Sequence, residues 1–226
     1  MVPQRRLRFA VGLILCLGMV SPPRTAYPAD FARWEKEIEA YEQADRVSPP
    51  PRGGLLFIGS STIRLWKTLA QDFPQHRVTN RGFGGSQIAD STYFAERIIF
   101  PYAPRMVLLR AGGNDIHAGK SPEQVFSDFK AFVAKVHQRL PGTEIAYIAL
   151  SPSIARWEKR DNEAALNKMV LQYAREAAGL KYIDASSISL ESDGTPRAEL
   201  FVADKLHFSP EGYKLLAEAV RPHLPK

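Results

Sequence analysis

Cysteine is almost absent from this sequence. The one cysteine among 226 residues is Cys16, which lies inside an apolar run near the amino terminus. Its neighbours Leu15 and Leu17 are bulky, whereas a cysteine that carries a lipid is expected to follow a small residue. The rest of the chain has no thiol, which excludes disulfides, cysteine nucleophiles and thiolate metal sites there.

Clusters of basic residues are also missing. The net charge is +6, but four of the arginines lie within the first 26 residues, which contain no acid, so the remainder carries only +2. No run of lysine and arginine with interleaved aromatic residues occurs. Nucleic acid is therefore not an expected partner.

Several ligand and catalytic motifs are absent. Gln87 occupies the position after Gly82 and Gly84 where a dinucleotide-binding loop needs its third glycine, which leaves an ordinary strand-to-helix turn or an anion-binding nest. The Gly-x-Ser-x-Gly motif of α/β-hydrolases occurs nowhere. None of the five histidines forms a close pair with another, so no metal site is predicted.

The first 29 residues resemble an export signal. A basic start contains Arg5, Arg6 and Arg8, an apolar run follows over 9–20, and a breaker-rich tail ends at Ala29. The apolar run is short of the roughly 20 residues that span a membrane. This pattern predicts a periplasmic or extracellular protein, with a retained amino-terminal anchor as the alternative, and one domain over 30–226.

Short apolar runs alternate with amphipathic stretches through the rest of the chain. The pattern predicts strands at 55–58, 77–80, 106–109, 144–150 and 181–184. It predicts helices at 31–47, just after Ser61, and at 88–100, 122–140, 163–178 and from 210. This alternation indicates a single three-layer α/β/α domain with a mostly parallel five-stranded sheet and helices on both faces.

Polar side chains follow two of the predicted strands. The first strand ends at Gly59 and presents Ser61, and the third ends at a glycine pair followed by Asn114 and Asp115. Ligands gather at the carboxyl ends of parallel strands, which favours a site there. The structural alternatives are a helix cap at Ser61 and a simple turn at Asn114.

A carboxylate precedes a histidine just before the last predicted helix. In Asp204-Lys205-Leu206-His207, the Asp204 carboxylate can accept from Nδ1–H of His207 and leave Nε2 free to take a proton from a serine. The structural alternative is a surface turn that leads into the helix.

These segments together resemble the SGNH (GDSL-like) hydrolases, a family of serine esterases, lipases, thioesterases and carbohydrate deacetylases. Four blocks in matching order carry the resemblance: Phe57-Ile58-Gly59-Ser60-Ser61, Asn80-Arg81-Gly82-Phe83-Gly84-Gly85, Gly112-Gly113-Asn114-Asp115 and Asp204-Lys205-Leu206-His207. The sequence departs from the family's commonest pattern at Ser60, where aspartate is usual, and at Thr62, where leucine is frequent.

The resemblance implies a flavodoxin-like fold and a catalytic role for each of five residues. Ser61 would be the nucleophile, His207 the general base and Asp204 the residue that orients His207. The backbone N–H groups of Ser61 and Gly85 and the side-chain amide of Asn114 would form the oxyanion hole. No metal or organic cofactor is implied.

The resemblance further implies the hydrolysis of carboxylic esters. The absence of a long apolar lid favours short acyl groups on a small-molecule or carbohydrate ester. Arg64, Arg110, Arg156 and Trp157 are candidate substrate residues, because arginine can hold an anionic group and tryptophan can stack on a sugar, although Arg156 and Trp157 could instead only pack their loop. The alternatives are a lipase, thioesterase or lysophospholipase-type acylhydrolase, or a non-catalytic glycan-binding relative.

Overall fold

A computed structural model describes residues 30–226 of the chain. The export signal or anchor predicted for residues 1–29 lies outside the described residues and stays a prediction. None of the helices within 30–226 combines the length and the apolar character needed to cross a membrane.

Residues 30–226 form five strands and nine α-helices in alternating order. The strands are β1 Leu55–Gly59, β2 Val78–Gly82, β3 Met106–Arg110, β4 Glu144–Ile148 and β5 Leu180–Ile183. The helices are α1 Glu35–Val47, α2 Ser61–Arg64, α3 Leu69–Asp72, α4 Ile88–Tyr93, α5 Ala95–Ile98, α6 Gly113–His117, α7 Pro122–Arg139, α8 Arg160–Glu176 and α9 Pro210–Val220. Short 3₁₀ turns occur at Phe31–Trp34, Phe100–Tyr102, Ile154–Lys159, Ala198–Leu200 and Arg221–His223.

All neighbouring strands pair in parallel, in the order β2-β1-β3-β4-β5. The register pairs Gly59 with both Gly82 and Arg110, so β1, β2 and β3 end at the same level. The strand order reverses at β1. The chain passes from β1 to β2 on one side and then crosses over to β3 on the other side of β1. A crevice forms outside the carboxyl ends at such a reversal, and it is the usual ligand site of an open α/β sheet.

Alternate residues of each strand enter two separate apolar cores. On one face, Leu56, Val107 and Tyr147 pack with the helices α1, α4, α5, α7 and α8. On the other face, Phe57 and Leu108 pack with α2, α3 and α9. Both faces of the sheet are therefore covered, which is why the central strands β1 and β3 carry continuous apolar runs, whereas the edge strand β2 is mostly polar. The predicted α/β/α fold class is confirmed.

The single helix predicted over 88–100 is wrong. The chain forms α4 and α5 there, with Phe94 between them at a ψ of 4°. The Thr92 hydroxyl donates to the Ile88 carbonyl at 3.1 Å, a contact that bends helices, and the buried Phe94 ring packs edge-on against Phe83. The bend and the burial of this ring together interrupt the helix.

Helix α8 begins at Arg160, three residues before the predicted start. The 3₁₀ turn Ile154–Lys159 leads directly into this helix, so the polar residues before Glu163 are already helical. Strand β2 runs from Val78 to Gly82 instead of 77–80. The other predicted elements lie within a few residues of the observed bounds.

Candidate active site

The serine turn between β1 and α2 depends on a glycine. Gly59 has a φ of +141°, and a Cβ on it would lie 2.0 Å from the backbone oxygen of Arg110 on the neighbouring strand. Only glycine fits this close approach. Ser60 then adopts an extended conformation, and Ser61 begins α2 at the carboxyl edge of the sheet.

Three hydrogen bonds hold this turn in place. Asn80 in the middle of β2 donates from Nδ2 to the Ile63 carbonyl at 2.6 Å, and the Tyr213 hydroxyl of α9 donates to the Thr62 carbonyl at 2.9 Å. The Ser86 hydroxyl donates to the Gly59 carbonyl at 3.2 Å. The contacts come from three separate segments of the chain, so the position of Ser61 depends on the folded domain.

Ser61, His207 and Asp204 form one hydrogen-bonded chain. The Oγ of Ser61 lies 2.8 Å from Nε2 of His207, and Nδ1 of His207 lies 2.6 Å from Oδ2 of Asp204. An Nδ1–H that donates to the carboxylate leaves Nε2 unprotonated and able to accept the serine proton. The fold thus joins residues 146 positions apart in the arrangement that activates a serine nucleophile.

A tight turn positions Asp204 against His207. Lys205 has a φ of +57°, and Oδ1 of Asp204 accepts from the backbone N–H groups of Leu206 and His207, each at 2.9 Å. The hydrogen bond from the His207 N–H, together with the contact to its ring, lowers the pKa of Asp204 to about 2. The carboxylate therefore stays charged at neutral pH beside Nδ1 of the imidazole.

The three predicted oxyanion-hole donors lie on the segments that follow the neighbouring strands β1, β2 and β3. Gly85 has a φ of +79°, and a Cβ there would lie 3.2 Å from the Trp34 ring. Neither the Ser61 N–H nor the Gly85 N–H makes a turn or loop hydrogen bond to a backbone carbonyl of residues 30–226. These two groups and the Asn114 amide can donate to a negative oxygen that develops beside Ser61.

Asn114 is held through both ends of its amide. Its Nδ2 donates to the Ser86 carbonyl at 2.9 Å, and its Oδ1 accepts from Nη1 of Arg156 at 2.9 Å.

The next residue, Asp115, is fully buried and binds Lys120 at 2.9 Å, which anchors the short helix α6. Burial raises the pKa of Asp115 to about 6 despite this ion pair.

A cleft beside Ser61 and His207 contains two of the four predicted substrate residues. Polar groups dominate its lining, which includes Ser60, Arg110, Asn114, Ser151, Ser153 and Arg156. The Arg110 guanidinium is buried and donates to the Ala149 carbonyl and to the Ser151 hydroxyl. Arg110 thus joins the ends of β3 and β4 and forms the floor of the cleft.

Arg64 and Trp157 lie outside this cleft. Arg64 is exposed at the end of α2 and lines a separate groove with Tyr41 and Asn80. Trp157 lines another groove along α8, where the Arg160 guanidinium lies 4.9 Å from the centre of its ring. Both residues follow strand ends, as expected, but they line grooves separate from the cleft at Ser61, so their role as substrate residues stays a prediction.

The sequence reasoning missed two residues of α8 that shape the cleft. Glu163 is 94% buried, carries an Oε2 without a hydrogen-bond partner, and lines the cleft beside Gly113. Asn167 bonds both the N–H and the carbonyl of Leu150, at 2.9 and 2.7 Å. The available signal was their spacing, because Glu163, Leu166, Asn167 and Val170 share one helical face.

We expect Glu163 to make stability depend on pH. Burial raises its pKa from 4.5 to about 7, so the folded state favours the neutral acid. The stability that the neutral form contributes is complete below about pH 4.5 and is lost as the pH rises through about 7. The unfolding free energy of Glu163→Gln minus that of the parent should therefore be about 2 to 3 kcal/mol larger at pH 8 than at pH 5.

Urea denaturation of both proteins at pH 5 and pH 8 measures this difference. Asp161→Asn is the matched control, because Asp161 lies in the same helical turn but its side chain is 83% exposed. The control should behave as the parent at both pH values. An equal stability difference between Glu163→Gln and the parent at pH 5 and pH 8 would contradict the burial effect.

In the part of the chain that the structure describes, no group of three or more His, Cys, Asp or Glu side chains is arranged to hold a metal ion.

Comparisons with known proteins identify a family for most of this chain. The model of the GDSL-like lipase/acylhydrolase family matches residues 59–215, which contain all five residues of the proposed catalytic set. No curated protein matches the chain in sequence.

Solved structures share the fold at low sequence identity. A Streptococcus pneumonia protein named for platelet activating factor has a TM-score of 0.77 and 20% identity, over 86% of this chain and 94% of that chain. A Bacteroides fragilis protein assigned as an acylhydrolase has a TM-score of 0.70 and 19% identity, over 82% and 94%. A catalytic mutant of Axe2, an acetylxylan esterase from Geobacillus stearothermophilus, has a TM-score of 0.61 and 18% identity, over 76% and 94%.

Proposed function

The chain belongs to the GDSL-like lipase/acylhydrolase family, and on this premise we propose that it is a serine esterase that hydrolyses short-acyl carboxylic esters. The observation that carries the proposal is the chain of hydrogen bonds through His207, at 2.8 Å to Ser61 and 2.6 Å to Asp204. A serine bonded to an imidazole that is itself bonded to a carboxylate is the arrangement for acyl transfer.

In the first half of the proposed reaction, Ser61 Oγ attacks the ester carbonyl carbon while His207 Nε2 takes the serine proton. Asp204 stabilises the imidazolium that forms. The carbonyl oxygen becomes negatively charged and accepts from the N–H groups of Ser61 and Gly85 and from Nδ2 of Asn114. The intermediate then collapses, His207 gives its proton to the leaving alkoxide oxygen, and an acyl ester on Ser61 remains.

In the second half, water replaces the alcohol. His207 Nε2 takes one proton from a water molecule, whose oxygen attacks the acyl carbon of the ester on Ser61. The new tetrahedral intermediate uses the same three donors. Its collapse releases the carboxylic acid, and the proton on His207 returns to Ser61 Oγ.

The lining of the cleft supports a short acyl group. Ser60, Ser151, Ser153 and the buried Arg110 line the same cleft as Ser61 and make much of its wall polar. A long acyl chain gains binding energy only against apolar walls, at about 0.8 kcal/mol for each buried CH₂. An acetyl group needs no such walls.

We expect kcat/KM to fall about tenfold or more from p-nitrophenyl acetate to the octanoate ester, because the added methylenes meet polar walls and crowd a small site. Hydrolysis of the acetate, butyrate and octanoate esters by residues 30–226 measures this profile. A rate that rises with chain length would replace the esterase proposal with a lipase. Inactivity on all esters, together with no covalent labelling by a fluorophosphonate, would leave a non-catalytic relative.

The leaving group proposed for the natural substrate is a sugar hydroxyl. The acetylxylan esterase activity named for Axe2, whose fold is similar, supports this choice. Acetate release from fully acetylated xylose is measured beside acetate release from a phospholipid that carries one acetyl ester on its glycerol. The comparison distinguishes the two ester classes. Faster release from the lipid would contradict the sugar assignment.

A further inference from the structure

We infer that Arg156 is a positioning residue, which holds the Asn114 amide in the one orientation that presents an N–H to the oxyanion. This inference rests on the proposed function and adds a residue to its machinery. Arg156 was expected to hold an anionic substrate group or to pack its loop. Its contact with Asn114 indicates a different role.

The Asn114 amide has one orientation that satisfies both of its neighbours. Nη1 of Arg156 is a donor and lies 2.9 Å from Oδ1, while the Ser86 carbonyl is an acceptor and lies 2.9 Å from Nδ2. A flipped amide would place its NH₂ against the guanidinium and its oxygen against the carbonyl. The observed orientation uses one Nδ2–H on Ser86 and leaves the second for a ligand.

Arg156 is itself fastened close to the catalytic histidine. It lies in the 3₁₀ turn after β4, with a φ of −129° and a ψ of 28°, and the neighbouring Ala155 N–H donates to the Lys205 carbonyl at 3.0 Å. The turn that carries Arg156 is therefore bonded to the turn that carries Asp204 and His207. This arrangement sets Asn114 and His207 relative to one another.

The positive charge of Arg156 also affects the Asn114 side-chain amide, to which it is hydrogen-bonded. A hydrogen bond from a guanidinium to Oδ1 is charge-assisted, and it polarises the amide so that its N–H groups become better donors. Buried Glu163 lies beside Gly113, on the same side as the Arg156 guanidinium, and supplies an acidic group near this charge. The Asn114 N–H is thus oriented before the negative oxygen forms, which is the condition for lowering the reaction barrier.

Loss of Arg156 should reduce turnover more than substrate binding. The oxyanion forms only in the transition state, so a misoriented donor lowers kcat and leaves KM for a small neutral ester nearly unchanged. We expect Arg156→Ala to lower kcat on p-nitrophenyl acetate on the order of tenfold, less than the 100-fold or more expected on removing the donor in Asn114→Ala. Arg156→Lys, which keeps the charge and one donor, should recover part of the loss.

A double-mutant cycle tests the route through Asn114. In the Asn114→Ala background, Arg156→Ala should change kcat less than twofold, because no amide remains to be positioned. Arg175→Ala is the control, since Arg175 is exposed near the far end of α8, and it should match the parent. Independent losses that multiply in the double variant would overturn the inference. A raised KM for anionic esters with no change in kcat would also overturn the inference, because Arg156 would then contact the substrate.

A second measurement does not depend on activity. The side-chain NH₂ signals of Asn114 in a ¹H–¹⁵N NMR spectrum are identified as the pair missing from Asn114→Ala. We expect them to shift in Arg156→Ala, to shift less in Arg156→Lys and to stay in place in Arg175→Ala. Signals unmoved in a folded Arg156→Ala or Arg156→Lys would overturn the inference. If the parent hydrolyses no ester, the proposed function fails while this spectrum still decides the role of Arg156.

Discussion

Ser61→Ala should lower kcat on p-nitrophenyl acetate on the order of 10⁴-fold or more, leaving only the residual rate from the oxyanion donors and substrate binding. The substitution removes the only atom that forms the covalent bond to the acyl group, and His207 then has no serine proton to accept. The Ser61 backbone N–H remains, so the folded site should still bind ester. Steady-state kinetics and mass spectrometry after fluorophosphonate labelling measure the loss, with the mass increase expected in the parent and absent in the variant.

Ser48→Ala provides the matched control for this substitution. Ser48 is an exposed serine just after α1 and lies outside the cleft. We expect it to keep the rate and the labelling of the parent. If Ser61→Ala also kept the parent's rate or its label, another side chain would be the nucleophile.

Asp204→Asn should lower kcat on the order of 10³- to 10⁴-fold while leaving the fold intact. Oδ1 of Asp204 accepts two backbone N–H groups at 2.9 Å, and the amide oxygen of the variant would keep that place. The amide NH₂ would then face Nδ1 of His207 and donate to it. The imidazole proton would move to Nε2, where it blocks acceptance of the serine proton.

The chain contains a closely matched control for this variant. Asp193 also accepts from the backbone N–H two residues later, at 2.9 Å, and its Oδ1 binds the Thr195 hydroxyl instead of an imidazole. Asp193→Asn should keep full activity on p-nitrophenyl acetate. Retention of a tenth or more of the parent's kcat by Asp204→Asn would show that Ser61 and His207 suffice without the carboxylate.

Parts of the fold and site could be predicted because they depend on neighbouring residues. The central strands β1 and β3 are short apolar runs, since both faces of a parallel sheet are buried there, and this pattern is present in the sequence whatever the rest of the chain does. The predicted start of α7 at position 122 is correct for the same reason, because Ser121 caps the helix through contacts made within four residues. Asp204 and His207 are three positions apart, so one turn accounts for their contact.

The elements that were predicted wrongly depend on contacts from elsewhere in the chain. The apolar spacing over 88–100 is helical throughout, but the Phe94 ring packs against Phe83 and Phe31, and the helix is interrupted there. Arg64 and Trp157 follow strands in sequence, yet their side chains lie in separate grooves. The position of a residue after a strand predicts the edge of the sheet at which it lies. It does not predict the direction in which the side chain points.

The sequence by itself determined the α/β alternation, the glycine that allows the serine turn, and the pairing of Asp204 with His207, because each is a property of a few consecutive residues. Only the tertiary structure decided that His207 meets Ser61 across 146 positions, that Arg110 is buried between β3 and β4, and that Arg156 bonds Asn114. Those contacts join side chains from different strand ends, so they exist only when the sheet and both layers of helices have set the distances between them.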